Sequence, residues 1–161
     1  MFELMDHTGE AGFIVRAKTK EEIIRDSIDA LYQLYFGEDK LQEKKELEKI
    51  YEETKNNSKN KIVEKIRLKI KSDGIDFTDA LITLLNEIVF LFDTKKITPF
   101  RLEGVKMIEN EDKTEIEAEI LFDRLKDSGL LPKIYIKAVT YGGAELKKEE
   151  DYFVLPIIID I

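Results

Sequence analysis

The chain has 161 residues, 43% of them apolar and 37% charged, and a formal net charge of −8. That length suffices for one domain with a core of its own, and the acidic balance argues against nucleic acid as the main direct partner, since phosphate binders rely on a basic surface. With no cysteine and one histidine, His7, disulfides, zinc ribbons, thiol nucleophiles and multi-histidine metal sites are excluded.

The stretch MDHTGEAGF (5–13), dense in Asp, His, Thr, Glu and Gly, reads as a loop. FIVRAK (13–18) reads as a short strand. Thr19 then offers a helix N-cap, and Glu22 three residues later completes a capping box. Ile24, Ile28, Leu31 and Tyr35 follow at helical spacing and Gly37 can close the turn, which predicts a helix over 20–36. Residues 38–60 differ in kind. Asp39 and Gln42 give a second cap signal, and Leu47, Ile50, Tyr51 and Thr54 form a thin stripe among many charges. A peripheral, mostly solvated helix is expected there, ending in the loop NNSKN (56–60).

KIVEKIRLKIK (61–71) alternates: Ile62, Ile66, Leu68 and Ile70 point one way, and Lys65, Arg67, Lys69 and Lys71 the other. That is a half-buried strand with a wetted outer face. SDGID (72–76) turns the chain. DFTDALITLLNEIVFLFDTKK (76–96) predicts the second main helix, with Phe77, Ala80, Leu81, Leu84, Leu85, Ile88, Leu91 and Phe92 on its apolar face; Pro99 stops its continuation. In 100–108 the apolar phase slips near Gly104, the mark of a bulge. In 114–122, Ile116, Ala118, Ile120 and Phe122 oppose Glu115, Glu117 and Glu119. RLKDSGLLP (124–132) is a loop with one helical turn. A strand over 133–141 turns Ile134, Ile136 and Ala138 to the core, leaving Tyr135, Lys137, Val139 and Tyr141 on a face rich enough in apolar groups to suit a partner. The last strand, 152–161, directs Phe153, Leu155, Ile157, Ile159 and Ile161 inward and leaves Asp160 on the other face.

The fold class expected is α+β: two main helices packed on one face of a largely antiparallel sheet, with a small peripheral helical insertion at 38–60, all within a single domain over 1–161. No apolar run approaches the length of a membrane span, ~18 residues. The start, MFELMDHT, has neither a basic region nor an apolar one before a cleavage site, so a cytoplasmic protein is expected. Gly-rich phosphate loops and the GxSxG elbow are absent, and the lone imidazole gives little basis for a nucleophilic triad, so an enzyme is the weaker expectation.

Four segments in register resemble the archease family: DHTGEAG (6–12), LLNEIVFLFDTKK (84–96), IKAVTYGG (136–143) and the closing IIIDI (157–161). Only 38–60 looks like an insertion. The resemblance implies a divalent-cation site in which the acid of the N-terminal loop, the penultimate Asp and the last residue are ligands; here these are Glu10, Asp160 and Ile161. Oxygen donors alone suit a hard cation, Ca²⁺ first, with Mg²⁺ or Mn²⁺ as alternatives. The resemblance also marks Lys137 as important for activity, with Asp6, His7 and Tyr141 on the same partner surface and His7 shaping the loop rather than ligating. Two departures stand out: Glu10 where the family has aspartate, and Gly142 where it has histidine. The implied function is that of a protein cofactor without catalysis of its own. It would activate an RtcB-type tRNA-splicing RNA ligase, promoting guanylylation, multiple turnover and broader nucleotide use, and would meet nucleic acid only through the ligase. A metal-dependent hydrolase using paired carboxylates and a generic chaperone or scaffold are the alternatives.

Overall fold

A computed structural model describes residues 1–7, 10–55 and 64–161. The N-terminal stretch expected as a loop is instead a hairpin: β1 (Phe2–His7) pairs antiparallel with β2 (Glu10–Ala17). Only Phe2 and Leu4 of β1 pack against the core, too short an alternation to register as a period of two. From β2, Phe13, Val15 and Ala17 point inward.

The first main helix, α1 (Lys20–Phe36), begins and ends where its signals lie. The Thr19 hydroxyl accepts from the Glu22 N–H at 3.1 Å. Glu22 reaches back to the N–H of Lys18 at 3.3 Å, one residue beyond the usual capping-box donor. Gly37, at φ 98°, ends the helix and donates to the carbonyl of Gln33 at 2.8 Å. α2 (Glu38–Thr54) follows at once, with Gly37 rather than Asp39 at its N-cap and no side-chain cap. Most of α2 is exposed, as its charge density suggests. Its docking stripe, however, is Leu41 and Lys44, both buried, while Leu47 and Ile50 are 54% and 53% exposed. Tyr51 meets the Phe100 ring edge-on at 5.8 Å. The expected loop at 56–60 and Ile62 lie outside the described residues.

β3 (Ile66–Gly74) alternates as expected but continues through Ser72, Asp73 and Gly74, which read as a turn. Ser72 is buried and donates to the Ala80 carbonyl at 2.9 Å, so its polarity is satisfied locally. Asp76 caps α3 (Phe77–Lys95), accepting from the Asp79 N–H at 2.9 Å. The buried arc of α3 is wider than one stripe and includes Ile82 and Val89, because the helix touches β3, β4 and β5 and also α1 and β6. Lys96, in the left-handed region at φ 55°, closes it. The chain then enters β4 (Ile97–Glu109) directly, so Pro99 sits inside a strand rather than ahead of one. The register of β4 against β5 (Thr114–Arg124) shifts between Pro99 and Arg101 and again between Leu102 and Gly104, the second at the expected bulge.

After α4 (Leu125–Ser128) comes irregular chain, then β6 (Ala138–Thr140), β7 (Lys147–Glu149) and β8 (Tyr152–Asp160). The strand expected over 133–141 is thus reduced to three residues, and its phase changes. Ile136 is fully buried, yet the next buried residue is Val139, at 2% exposure, and Ala138 is only half-buried. Val139 is core and does not share a face with Lys137. Ile161 lies beyond the end of β8 and is 45% exposed, rather than core.

The α+β class holds, with every strand pairing antiparallel, and the strands divide between two sheets. One runs β1-β2-β8-β6 with β7 also on β8; the other runs β3-β5-β4. α1 packs on β1, β2 and β8, and α3 on the second sheet. Tyr35 of α1 stacks on Phe92 of α3 at 4.1 Å between ring centres, so both helices end at one pole of the core. Among the described residues no helix is long and apolar enough to cross a membrane.

Candidate functional site

The same pole collects the sequence-derived candidates. The β2–β8 ladder ends at Ala11 opposite Ile159. Glu10 and Asp160 are the next residues on those two neighbouring strands, whose backbones run about 5 Å apart. On the far side of β2, His7 of β1 is opposite Glu10, and Asp6 is opposite Ala11. On the far side of β8, Ala138 of β6 is opposite Asp160, and the Lys137 N–H donates to the Asp160 carbonyl at 2.8 Å. Asp6, His7, Glu10, Asp160, Ile161 and Lys137 therefore occupy one end of four consecutive strands. Asp160, Ile161 and Lys137 are exposed there; the side chains of Asp6, His7 and Glu10 lie outside the described structure. Tyr141 is 58% exposed, just past β6, and its carbonyl accepts from the Ala144 N–H at 3.3 Å.

Two residues that sequence reasoning passed over hold this arrangement together. Asn86 of α3 donates to the Val139 carbonyl at 2.9 Å and accepts from the Val139 N–H at 2.8 Å. Its amide thus takes the place of a neighbouring strand along the free edge of three-residue β6 and adds to the ladder that β6 makes with β8. The available signal was a lone amide inside an apolar helix, LLNEI. The second residue is Gly12. A Cβ there would strike the Ile157 carbonyl oxygen and come within 2.7 Å of the Met5 side chain. Only glycine lets β2 lie this close between β1 and β8, two residues from Glu10.

Beside the site, the Tyr35 hydroxyl is buried and has no hydrogen-bond partner among the described residues. Burial pushes its ionisation well above the ordinary phenol range, and the nearby Asp93 and Tyr135 add to the shift. Tyr35 stays neutral, and Tyr135, 63% exposed, stands close to it at the surface.

Among the described residues no three His, Cys, Asp or Glu side chains gather as a metal-ligand group. Of the expected ligands, the described donors are the Asp160 carboxylate and the main-chain oxygens of Ile161. This is an oxygen-only set at an exposed strand end, chemically able to meet a hard cation and poorly suited to zinc or copper.

Comparison with known proteins covers nearly the whole chain. The Archease protein family (MTH1598/TM1083) matches residues 2–161. The protein archease of Methanosarcina barkeri is 25% identical over 162 residues, covering 99% of this chain and 95% of the relative. That of Thermoplasma acidophilum is 24% identical over 160 residues, covering 99% and 93%. The solution structure of Methanobacterium thermoautotrophicum protein 1598 superposes with a TM-score of 0.65 at 22% identity, covering 99% of this chain and 98% of that one. The crystal structure of a Thermotoga maritima archease, described as a possible chaperone, gives a TM-score of 0.52 at 11% identity, covering 98% and 94%. The two structures share the fold, and the family match takes in both the opening hairpin and the last strand. The chain belongs to the archease protein family.

Proposed function

We propose that this protein activates an RtcB-type tRNA-splicing RNA ligase in the cytoplasm, acting as a protein cofactor without catalysis of its own. The observation that carries the reading is the strand register, in which Glu10 and Asp160 each follow the last β2–β8 pair and Lys137 is bonded to the Asp160 main chain. In this reading Glu10, Asp160 and a main-chain oxygen of Ile161 hold a divalent cation, Ca²⁺ first and Mg²⁺ or Mn²⁺ as alternatives. A bound cation supplies charge neutralisation at clustered carboxylates and a Lewis-acidic contact for phosphate oxygens. Asp160 presents a carboxylate from a strand end fixed on both sides. Lys137 offers an ammonium to a triphosphate or to an acid of the ligase, and Asn86 fixes the strand that carries it. Asp6, His7 and Tyr141 border the docking surface.

The test is guanylylated ligase formed per minute under multiple turnover, with and without this protein, beside calcium calorimetry. Wild type should raise the rate and show about one cation site per chain. Asp160→Asn should lose both cation binding and activation while remaining folded by circular dichroism. Lys137→Ala should keep the cation and lose activation. Full activation by folded, metal-free Asp160→Asn would overturn the reading of the site. The Thermotoga relative's description keeps general chaperoning as the competing reading. It would be favoured if aggregation of unrelated clients fell on addition of this protein while ligase guanylylation did not change.

A further inference from the structure

The net charge of −8 describes the whole surface, and the charge is not spread evenly over it. Lys95 and Lys96 end α3, and the Lys96 carbonyl accepts from the Leu125 N–H at 2.9 Å, which sets Arg124 and Lys126 beside them. The chain then crosses the end of α1, where the Lys133 N–H donates to the Tyr35 carbonyl at 2.6 Å, and arrives at Lys137, just before β6, whose N–H bonds to Asp160 of β8. All of these cations are exposed. Among the described residues none of them joins an ion pair, as is also true of scattered lysines such as Lys69 and Lys106; what sets this group apart is that its cations gather at one pole. Asp93, Asp127 and Asp160 share this pole, with Glu38 and Asp39 at the start of α2. The Lys133 side chain lies against Gly37 at the end of α1, and the other cations, exposed and without ion-pair partners, are open to solvent or a partner.

The segment 133–137 adds a second feature. Ile134 and Ile136 turn inward, Ile136 completely, so Lys133, Tyr135 and Lys137 all face out. Cation, aromatic ring and cation thus alternate along this segment, which bends at Lys133 and Ile134. Tyr135, between the two lysines in sequence, is 63% exposed, and Leu131 is 83% exposed. Backbone cations interleaved with an exposed aromatic are the elements of a single-strand nucleic-acid platform, the ring stacking on a base and the ammonium groups following the phosphates. An acidic protein segment could use both the cations and the ring, so the polyglutamate arm of the experiment separates it from a nucleic-acid strand.

We infer that this pole binds single-stranded RNA directly, through Arg124, Lys126 and Lys133 and by stacking on Tyr135. The choice of RNA rests on the ligase reading; the surface itself does not. The contact would hold an RNA end next to Lys137 and Asp160, which refines the expectation of nucleic acid met only through the ligase. Because the rest of the molecule is acidic, the affinity is modest and strongly dependent on salt.

The experiment is fluorescence anisotropy of a labelled oligouridine of about 12 nucleotides with the whole protein and no ligase. Binding in the range of about 10 µM is expected near 50 mM KCl, with log K falling against log salt at a slope of about −2 to −3, as for three or four phosphates on a single strand. Arg124→Gln with Lys126→Gln should weaken binding about tenfold, and Tyr135→Ala at least about fivefold. Lys69→Gln with Lys71→Gln, on the outer face of β3, should leave it unchanged. These side chains are exposed, so each variant should keep the wild-type melting temperature, which is measured alongside. Absence of binding at low salt, wild-type affinity in the Arg124/Lys126 or Tyr135 variants, or equal binding of a polyglutamate peptide would each overturn the inference. Ligase activation is scored separately, so loss of RNA binding with activation intact refutes this inference alone, and the reverse refutes the ligase reading alone.

Discussion

At the scale of single residues, Lys44 is the clearest case of chemistry hidden in a charged sequence. It lies within a run that reads as solvated, yet it is 5% exposed. Its ammonium meets Asp29 at 3.2 Å, Glu48 at 2.5 Å and the Phe100 carbonyl at 3.1 Å, over the Tyr32 ring at 5.3 Å. Removing it strands two carboxylates and a carbonyl in a nearly dry place. Lys44→Ala should therefore cost about 3 kcal/mol by urea unfolding. Gly12→Ala forces a methyl against main chain that cannot yield and should cost about 1–3 kcal/mol by the same measurement. The two helix tyrosines set an alkaline limit. Burial first, then Asp123, Glu43 and Glu48, raises the Tyr32 ionisation above the phenol range, and burial with Asp93 and Tyr135 does so for Tyr35. Unfolded tyrosine ionises near pH ~10. Since the folded values are the higher ones, the stability they contribute is complete below that pH and declines as pH rises from about 10 toward them. Melting temperature against pH checks this, and Tyr35→Phe should flatten the decline.

At the scale of elements, α2 and β6 show why periodicity located segments better than it located their docking. The sequence placed a helix in 38–60 and assigned it the stripe Leu47, Ile50, Tyr51 and Thr54. The buried positions are one turn earlier, at Leu41 and Lys44, because a lysine whose charge is met internally can face the core and a leucine alone can face water. The helix is accordingly part of the packing. Replacing residues 38–54 by a short Gly/Ser loop should lower stability by at least the burial of Leu41, about 2 kcal/mol, read as a fall in denaturation midpoint. β6 was expected as a nine-residue strand and has three residues, since irregular chain with every second residue buried mimics a strand in sequence. β6 is held by its ladder with β8 on one edge and by the Asn86 amide on the other. Asn86→Ala leaves the Val139 N–H and carbonyl without partners and should cost about 1–3 kcal/mol. Hydrogen exchange should quicken over 138–140 while the middle of β8 stays protected.

At the scale of the whole molecule, each sheet has interior strands with partners on both edges: β2 and β8 in one, β5 in the other. Their amides and those of α3 should exchange slowest, and those of β1 and β7 fastest, by mass spectrometry of exchanged peptides. The sequence by itself determined the element types, the two main helices with their caps, the inward faces of β3, β5 and β8, and, through the resemblance at both ends of the chain, the family. Those features are local. A capping hydroxyl, a 3.6-residue period or a two-residue alternation acts over a few neighbours and is written in consecutive residues. Only the tertiary structure decided that the strands form two sheets, that the opening loop is a hairpin, that Val139 is core and Ile161 is not, and that Asp160 has β2 on one side and Lys137 on the other. Those outcomes rest on which strand hydrogen-bonds to which, in the β2–β8 pair across more than a hundred residues of chain. Backbone donors and acceptors are alike in every strand, so the choice of partner depends on how the whole core closes over its apolar faces.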